Sequence, residues 1–335
     1  MYNSVPIDSL PLPVMLVSTN HHVLAANSKA KAIFADIEPG RHISELFGDG
    51  DLLQLCTQVA DTGQARDCEI VRKKPSKRRF QVNIGPYEND DAGGIFLAFY
   101  ETTATHEAER MRSSFVADVS HELRSPLTTM IATIETLKSG AGEKADVRAR
   151  FIDLMADETN RMHRIVDDLL SLSATEAMVH IAPEDTVNLV PIVESVAEVL
   201  ALKAENKNMV IKLKLEKDLP DILGKKDELY QALYNLADNA IKYGPENSTV
   251  TLGVKSRGED VIFKTRNFGE PIRKKHIPRL TERFYRADKS RSRDLGGTGL
   301  GLAIVKHILN RHMGALEISS GAKKGTVFLV RFPKK

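Results

Sequence analysis

The chain has 335 residues, with 47 Lys and Arg against 45 Asp and Glu, a length that calls for two or three domains. A net charge of +2 does not indicate nucleic-acid binding by the chain as a whole, and no direct DNA binding is expected. The two cysteines, Cys56 and Cys68, have no CxxC or metal-ligand spacing, which fits a reducing compartment.

No run approaches the roughly 20 apolar residues of a membrane span. The N-terminus lacks the basic and apolar stretches of a signal peptide. A soluble cytoplasmic protein is expected, with the inner face of the membrane as its alternative station.

Residues 1–103 read as mixed α/β. Val14 to Val17 and Val23 to Ala25 are short apolar strands around a polar turn. Ala30 to Ala35 and Leu52 to Val59 have helical spacing. Glu69 to Arg72, Arg79 to Ile84 and Gly94 to Tyr100 read as strands, joined by turns at Lys74 to Lys77 and Glu88 to Gly93. The basic run Arg72 to Arg79 could touch anionic lipid or nucleic acid, although a solvated hairpin tip is the commoner meaning.

From residue 104 to 176 the pattern becomes helical. Val116, Val119, Leu123, Leu127, Met130, Ile134 and Leu137 step by three and four along one face. After the loop Ser139 to Lys144, a second helix carries Phe151, Leu154, Met162, Ile165, Leu169 and Leu172. Two helices cannot bury both faces alone, so pairing of two copies into a four-helix bundle is expected, and with it a homodimer.

Residues 183–335 return to α/β. Leu189 to Ala204, Asp227 to Tyr243 and Leu302 to His312 read as helices. Met209 to Leu215, Thr249 to Lys255, Val261 to Arg266, Leu316 to Ser319 and Thr326 to Phe332 read as strands. The fold class is therefore multidomain α+β.

Three segments carry chemistry. In the first, Ser120 to Leu127, His121 is two residues from Val119 and from Leu123, and so points about 200° from each, toward solvent. An exposed imidazole on a rigid helix is a reachable nucleophile when uncharged. Glu122 beside it can take a proton, and Ser125 shares its face one turn on. Pro126 lacks an N–H and would bend the helix. In the second, Asn235, Asn239 and Tyr243 fall four residues apart along one edge of the stripe Leu229, Leu233, Leu236 and Ala240. The amide oxygens of the two Asn suit a hard cation, although two Asn on a helix are usually surface residues. In the third, Gly296-Gly297-Thr298-Gly299-Leu300-Gly301 opens a helix, a setting that favours phosphate. The segment is not a P-loop, and no strand precedes it as a Rossmann turn requires. Ahead of it, Arg273 to Arg293 holds nine Lys or Arg and two acids, the composition of a lid over a triphosphate.

The first segment resembles the H-box of sensor histidine kinases, usually His-Glu-Leu-Arg-Thr-Pro-Leu, with Ser125 in place of Thr. The second and third resemble the N, F and G2 boxes of the kinase and related Bergerat-fold ATPases. The resemblance implies a signalling-helix linker at 104–113, a dimerisation and phosphotransfer domain (HisKA) at 114–177 and an α/β-sandwich ATP-binding domain (HATPase_c) at 183–335. It implies ATP and Mg²⁺ as cofactors, with Asn239 on Mg²⁺, and Asn235, Lys242 and Tyr243 near nucleotide. Phe284 and Arg286 would belong to the lid, and Gly297, Thr298, Gly299, Leu300 and Gly301 to the phosphate loop. In the adenine box, usually Asp-x-Gly-x-Gly, Asn267 and Gly269 stand with Pro271, and Thr281 replaces a lid Phe.

The opening hairpin, Asn27 and the closing Glu101-Thr102-Thr103 resemble a PAS sensor domain over 1–103. The stretches from Phe115 to Leu137 and from Met155 to Glu176 resemble phosphate-regulon sensor kinases (PhoR type). The implied partners are a second copy of the chain, a response-regulator receiver domain and upstream sensory proteins. The alternatives are a kinase-like scaffold with weak turnover, motivated by Asn267, Pro271 and Thr281, and an ATPase without phosphotransfer, which His121 argues against.

Overall fold

The computed structural model describes residues 7–34, 37–47, 50–72, 77–89, 92–140, 143–178, 180–288 and 297–335. The chain divides into two compact units, Met1–Val116 and Ala117–Lys335. The bundle helices therefore group with the C-terminal α/β layer rather than standing apart from it.

In the first unit, β1 (Val14–Ser18), β2 (Val23–Ala26), β3 (Arg66–Arg72), β4 (Arg78–Asn89) and β5 (Ala92–Glu101) form one antiparallel sheet in the order β2-β1-β5-β4-β3. The expected turn at Glu88 to Gly93 is shorter than the sequence suggests, because the ladder continues to Asn89 opposite Ala92. Three helices accompany the sheet: α1 (Ser28–Ile33), α2 (Ile43–Phe47) and α3 (Gly50–Thr62). Phe34 gathers Phe47, Phe80 and Phe99 at 4.9–5.4 Å between ring centroids, and these four rings anchor the core.

Asn27 ties this unit together. It is fully buried. Its Oδ1 accepts from Val14 N at 3.0 Å and caps α1 at Ala30 N, 2.9 Å. Its Nδ2 donates to Leu12 O at 2.7 Å and Ile7 O at 3.1 Å. A buried amide with all these bonds met is stabilising, and removing it would leave several orphans. Cys56 is buried in the same core, and that burial, with Cys68 nearby, pushes its thiol up to about 12.

The basic run is less open than it reads. Arg79 pairs with Glu69, Arg78 lies 3.6 Å from Glu101, and Arg72 stacks 5.3 Å over Phe34. Residues 73–76 of that run lie outside the described residues.

α4 (Thr103–Lys138) and α5 (Ala145–Ala177) are the two long helices. α4 runs through Pro126 as one helix. Its expected seam is open to solvent in the single chain: Val116, Leu127 and Ile134 are exposed, as are Ile152, Leu154, Val166 and Leu170 on α5. Among the described residues no helix is long and apolar enough to cross a membrane.

The C-terminal layer is a mixed sheet in the order β11-β12-β10-β9-β7. Its strands are β7 (Val210–Leu215), β9 (Thr249–Arg257), β10 (Asp260–Asn267), β11 (Ala315–Gly321) and β12 (Gly325–Pro333), and only the β7–β9 pair is parallel. A small ribbon, β6 (Thr186–Val187) with β8 (Ile222–Leu223), was not foreseen from sequence, because two-residue strands carry no period. Three helices pack on the sheet: α6 (Leu189–Glu205), α7 (Lys226–Lys242) and α8 (Gly301–Arg311). Lys207 Nζ donates at 3.0 Å to the carbonyls of Ile241, Lys242 and Gly244, and so satisfies the open end of α7.

His312, at the end of α8, is buried; its Nε2 accepts from Lys225 N at 3.0 Å and its Nδ1 lies 2.8 Å from Ile308 O. These bonds require a neutral ring with its proton on Nδ1. Burial lowers the pKa of His312, against the opposing pull of the Ile308 carbonyl and Glu228. A pKa lowered in the fold leaves stability complete above the unfolded value of about 6.5 and removes it as pH falls. Thermal melts should therefore drop between pH 7.5 and 5.5, and the drop should be smaller in His312→Gln.

Candidate functional site

The stripe Leu229, Leu233, Leu236 and Ala240 is buried as its spacing requires, and this fixes the rotation of α7. Asn235, Asn239, Lys242 and Tyr243 then line one wall of a cavity of about 770 Å³. Asn267, Arg286, Gly297, Thr298, Gly299 and Gly301 line it from the other elements. Ten of the expected residues thus converge on one space. Gly296 lies outside the described residues.

Three expected residues serve the site from behind. Leu300 is fully buried and belongs to the core, not the cavity wall. Phe284 adopts a positive φ of 59° and its N donates to Gly299 O at 2.9 Å, so it buttresses the glycine turn. Gly269 is needed for space: a Cβ there would lie 2.0 Å from the Tyr243 carbonyl oxygen. Gly299 has φ +77°, and a Cβ would lie 2.9 Å from the Phe284 backbone.

Charge in the cavity is arranged in pairs. Asp238 binds Lys203, and its other oxygen lies 3.5 Å from Lys242 Nζ. Burial lowers the pKa of Lys242, while Asp238 pulls it up. Asn235 Nδ2 is buried with no hydrogen-bond partner among the described residues. An orphaned donor in a cavity wall is a group waiting for a ligand acceptor.

The bundle helix α5 contributes to the same cavity through Arg164, Asp167 and Asp168, which the sequence reading missed. Asp168 Oδ2 accepts from Thr298 Oγ1 at 2.6 Å. Burial raises the Asp168 pKa, and the Thr298 bond partly offsets this. Further contacts join α5 to the C-terminal layer. Gln231 Nε2 donates to Ser171 Oγ at 2.5 Å, Arg283 pairs with Glu176, and His307 Nε2 lies 3.2 Å from Glu176. Burial lowers the His307 pKa although Glu176 draws it up. A signal for this face was present in the sequence. Arg161, Asp168 and Thr175 interrupt the apolar stripe of α5 at helical spacing, which marks contact with a polar partner.

His121 is exposed, as is Ser125. Glu122 Oε2 accepts from Arg161 Nη2 at 3.0 Å and lies 3.4 Å from Arg286 Nη2. Arg286 also donates to Gly297 O. One guanidinium thus reaches from the cavity wall to the residue beside the exposed imidazole.

Residues 111–177 match the His Kinase A (phospho-acceptor) domain, and residues 224–335 match the histidine kinase-, DNA gyrase B- and HSP90-like ATPase family. The sensor-like histidine kinase SenX3 of Mycolicibacterium smegmatis is 30% identical over 333 residues, 97% of this chain and 83% of the relative. The chain belongs to the sensor histidine kinases. Sensor histidine kinase WalK of Bacillus subtilis and the phosphate regulon sensor protein PhoR of Pseudomonas aeruginosa are each 35% identical, over 77% and 79% of this chain. The chain spans only 42% and 59% of those two relatives. Histidine kinase ThkA, solved in complex with response regulator protein TrrA, has the same fold at a TM-score of 0.54 and 21% identity, covering 98% of this chain and 97% of its own.

The Asp168–Thr298 bond makes a prediction for this kinase-family chain. By carboxyl-observed NMR, Asp168 should titrate above the ordinary carboxylate range. Thr298→Val should raise it further, because the bond that stabilises the carboxylate is lost.

Proposed function

We propose that the chain is an ATP-dependent protein-histidine kinase of a two-component system, with His121 as phosphoacceptor. The observation that carries this reading is Arg286, which lines the cavity and reaches Glu122 next to His121. ATP occupies the cavity, with its phosphates among Lys203, Lys242, Arg286 and the Gly297–Gly301 turn. The orphaned Asn235 Nδ2 fits such a ligand. Asn239 offers a hard amide oxygen to Mg²⁺, a cation that takes few protein ligands and neutralises phosphate charge.

A ring nitrogen of His121 attacks the γ-phosphorus with its lone pair. The N–P bond forms as the bond to the bridging oxygen breaks, and ADP leaves. The N–H proton on the opposite nitrogen passes to Glu122 once Arg161 and Arg286 release it, or to water. The chain's residues act by positioning and by fixed charge. The phosphoryl group then moves to an Asp of a response-regulator receiver domain, the partner class seen with ThkA. Ser125, one turn from His121, supports a role in dephosphorylation of that regulator, in which an oriented water takes the phosphoryl group from the Asp and phosphate leaves.

The exposed seam on α4 and α5 supports a homodimer with a four-helix core. The strand order β2-β1-β5-β4-β3 and the buried Asn27 support a PAS input domain over 1–103. The 35% identity to PhoR of Pseudomonas aeruginosa over 79% of this chain supports phosphate-regulon signalling as the specific role. A scaffold with no turnover is the second reading, favoured by Asn267, Pro271 and Thr281; it requires that calorimetry find no Mg²⁺-dependent ATP binding.

Incubation with γ-labelled ATP tests the first reading. The native chain should take acid-labile, alkali-stable label, and His121→Gln should take none. Asn239→Ala should slow labelling by about 10²-fold or more. Label persisting in His121→Gln would mean another acceptor.

A further inference from the structure

We infer that the cavity accepts guanosine as well as adenosine triphosphate, because Asn267 offers it an amide whose orientation no hydrogen bond fixes among the described residues. This deepens the ATP reading above and rests on it. Lys203, Lys242 and Arg286 line the cavity and offer cations to phosphate, whereas Asn267, Thr326 and Phe328 line it with neutral side chains suited to a heterocycle.

The position of Asn267 is tightly set. It ends β10 opposite Thr326 of β12 and is only 3% exposed. Gly325 lies against it with φ +71°, where a Cβ would come within 2.2 Å of the Asn267 carbonyl oxygen. Thr326 Oγ1 is engaged with Ser320 Oγ at 2.7 Å, and Ser320 Oγ accepts from Ile272 N at 2.9 Å. Those neighbours are therefore committed elsewhere. Among the described residues no hydrogen bond holds the Asn267 amide in one of its two orientations. The backbone is fixed while the amide can turn over.

The two purines differ at the edge such an amide meets. Adenine presents a 6-amino donor beside the N1 acceptor; guanine presents a 6-oxo acceptor beside an N1–H donor. The Asn267 oxygen and NH₂ match the first pair, and match the second after a half-turn about the terminal torsion. A carboxylate in that place would only accept. It would bond adenine's 6-amino group but oppose N1, and bond guanine's N1–H but oppose the 6-oxygen, so either purine would meet a repulsive element there. Sites that read a base by hydrogen bonds can discriminate by as much as about 10⁴ when the wrong partner leaves a buried group unpaired. Asn267 supplies no such opposition.

Calorimetric titration of the full chain with Mg²⁺ and ATP, GTP or UTP tests this. GTP should bind within about tenfold of ATP, and UTP more weakly than either. Asn267→Asp should weaken both purine nucleotides by about tenfold or more, because a carboxylate opposes one acceptor on either base. If ATP binds and GTP is weaker than ATP by more than about tenfold in the native chain, the inference fails and the ATP reading stands. Unchanged purine affinities in folded Asn267→Asp, or UTP equal to the purines, also overturn it. If neither purine nucleotide binds, the inference and the ATP reading fall together.

Discussion

The buried stripe of α7 is the constraint on which the site depends. Leu229, Leu233, Leu236 and Ala240 have no exposed alternative once the helix lies on the sheet. Each large side chain contributes about 1.5–3 kcal/mol by leaving water. That burial leaves a single rotation for the helix, and the residues one edge away must face the cavity. Lys207 then fixes where the helix ends, and the Tyr243 carbonyl at that end fills the space a Gly269 side chain would need. The cavity wall is thus held in part by Lys207 and a buried stripe that stand behind it.

The second organising feature is the polar face of α5. Arg161, Asp168, Ser171 and Glu176 each find a partner on α4 or on the catalytic layer. Because Arg164, Asp167 and Asp168 also line the cavity, its electrostatic potential depends on this packing. Glu122 is shared between Arg161 and Arg286, so a shift of either guanidinium changes the charge the other must balance.

Much of this was legible beforehand. The helical period placed α4 to α8 within a few residues, and the four-residue step of Asn235, Asn239 and Tyr243 placed three wall residues together. Asn267, Arg286 and the glycine turn were found by motif rather than by period. What stayed hidden was of another kind. Lys203, Asp238 and the α5 acids enter the site through tertiary contact, and nothing local in the sequence marks a lysine on α6 as neighbour to an aspartate on α7. Leu300 misled because a residue between two loop glycines can still point into the core. The Glu88 to Gly93 segment misled because turn-forming residues sit inside a ladder that β5 keeps in register.

Cys56 carries a consequence for what the first unit can respond to. A thiol with a pKa of about 12 holds on the order of one thiolate in 10⁵ at neutral pH, and only the thiolate reacts readily with peroxides or disulfides. Fully buried in the core that also holds Phe34, Phe80 and Phe99, it is also shielded from oxidants dissolved in water. Cys56 is therefore a poor target for oxidation, and its sulfur acts as packing material rather than as a reporter.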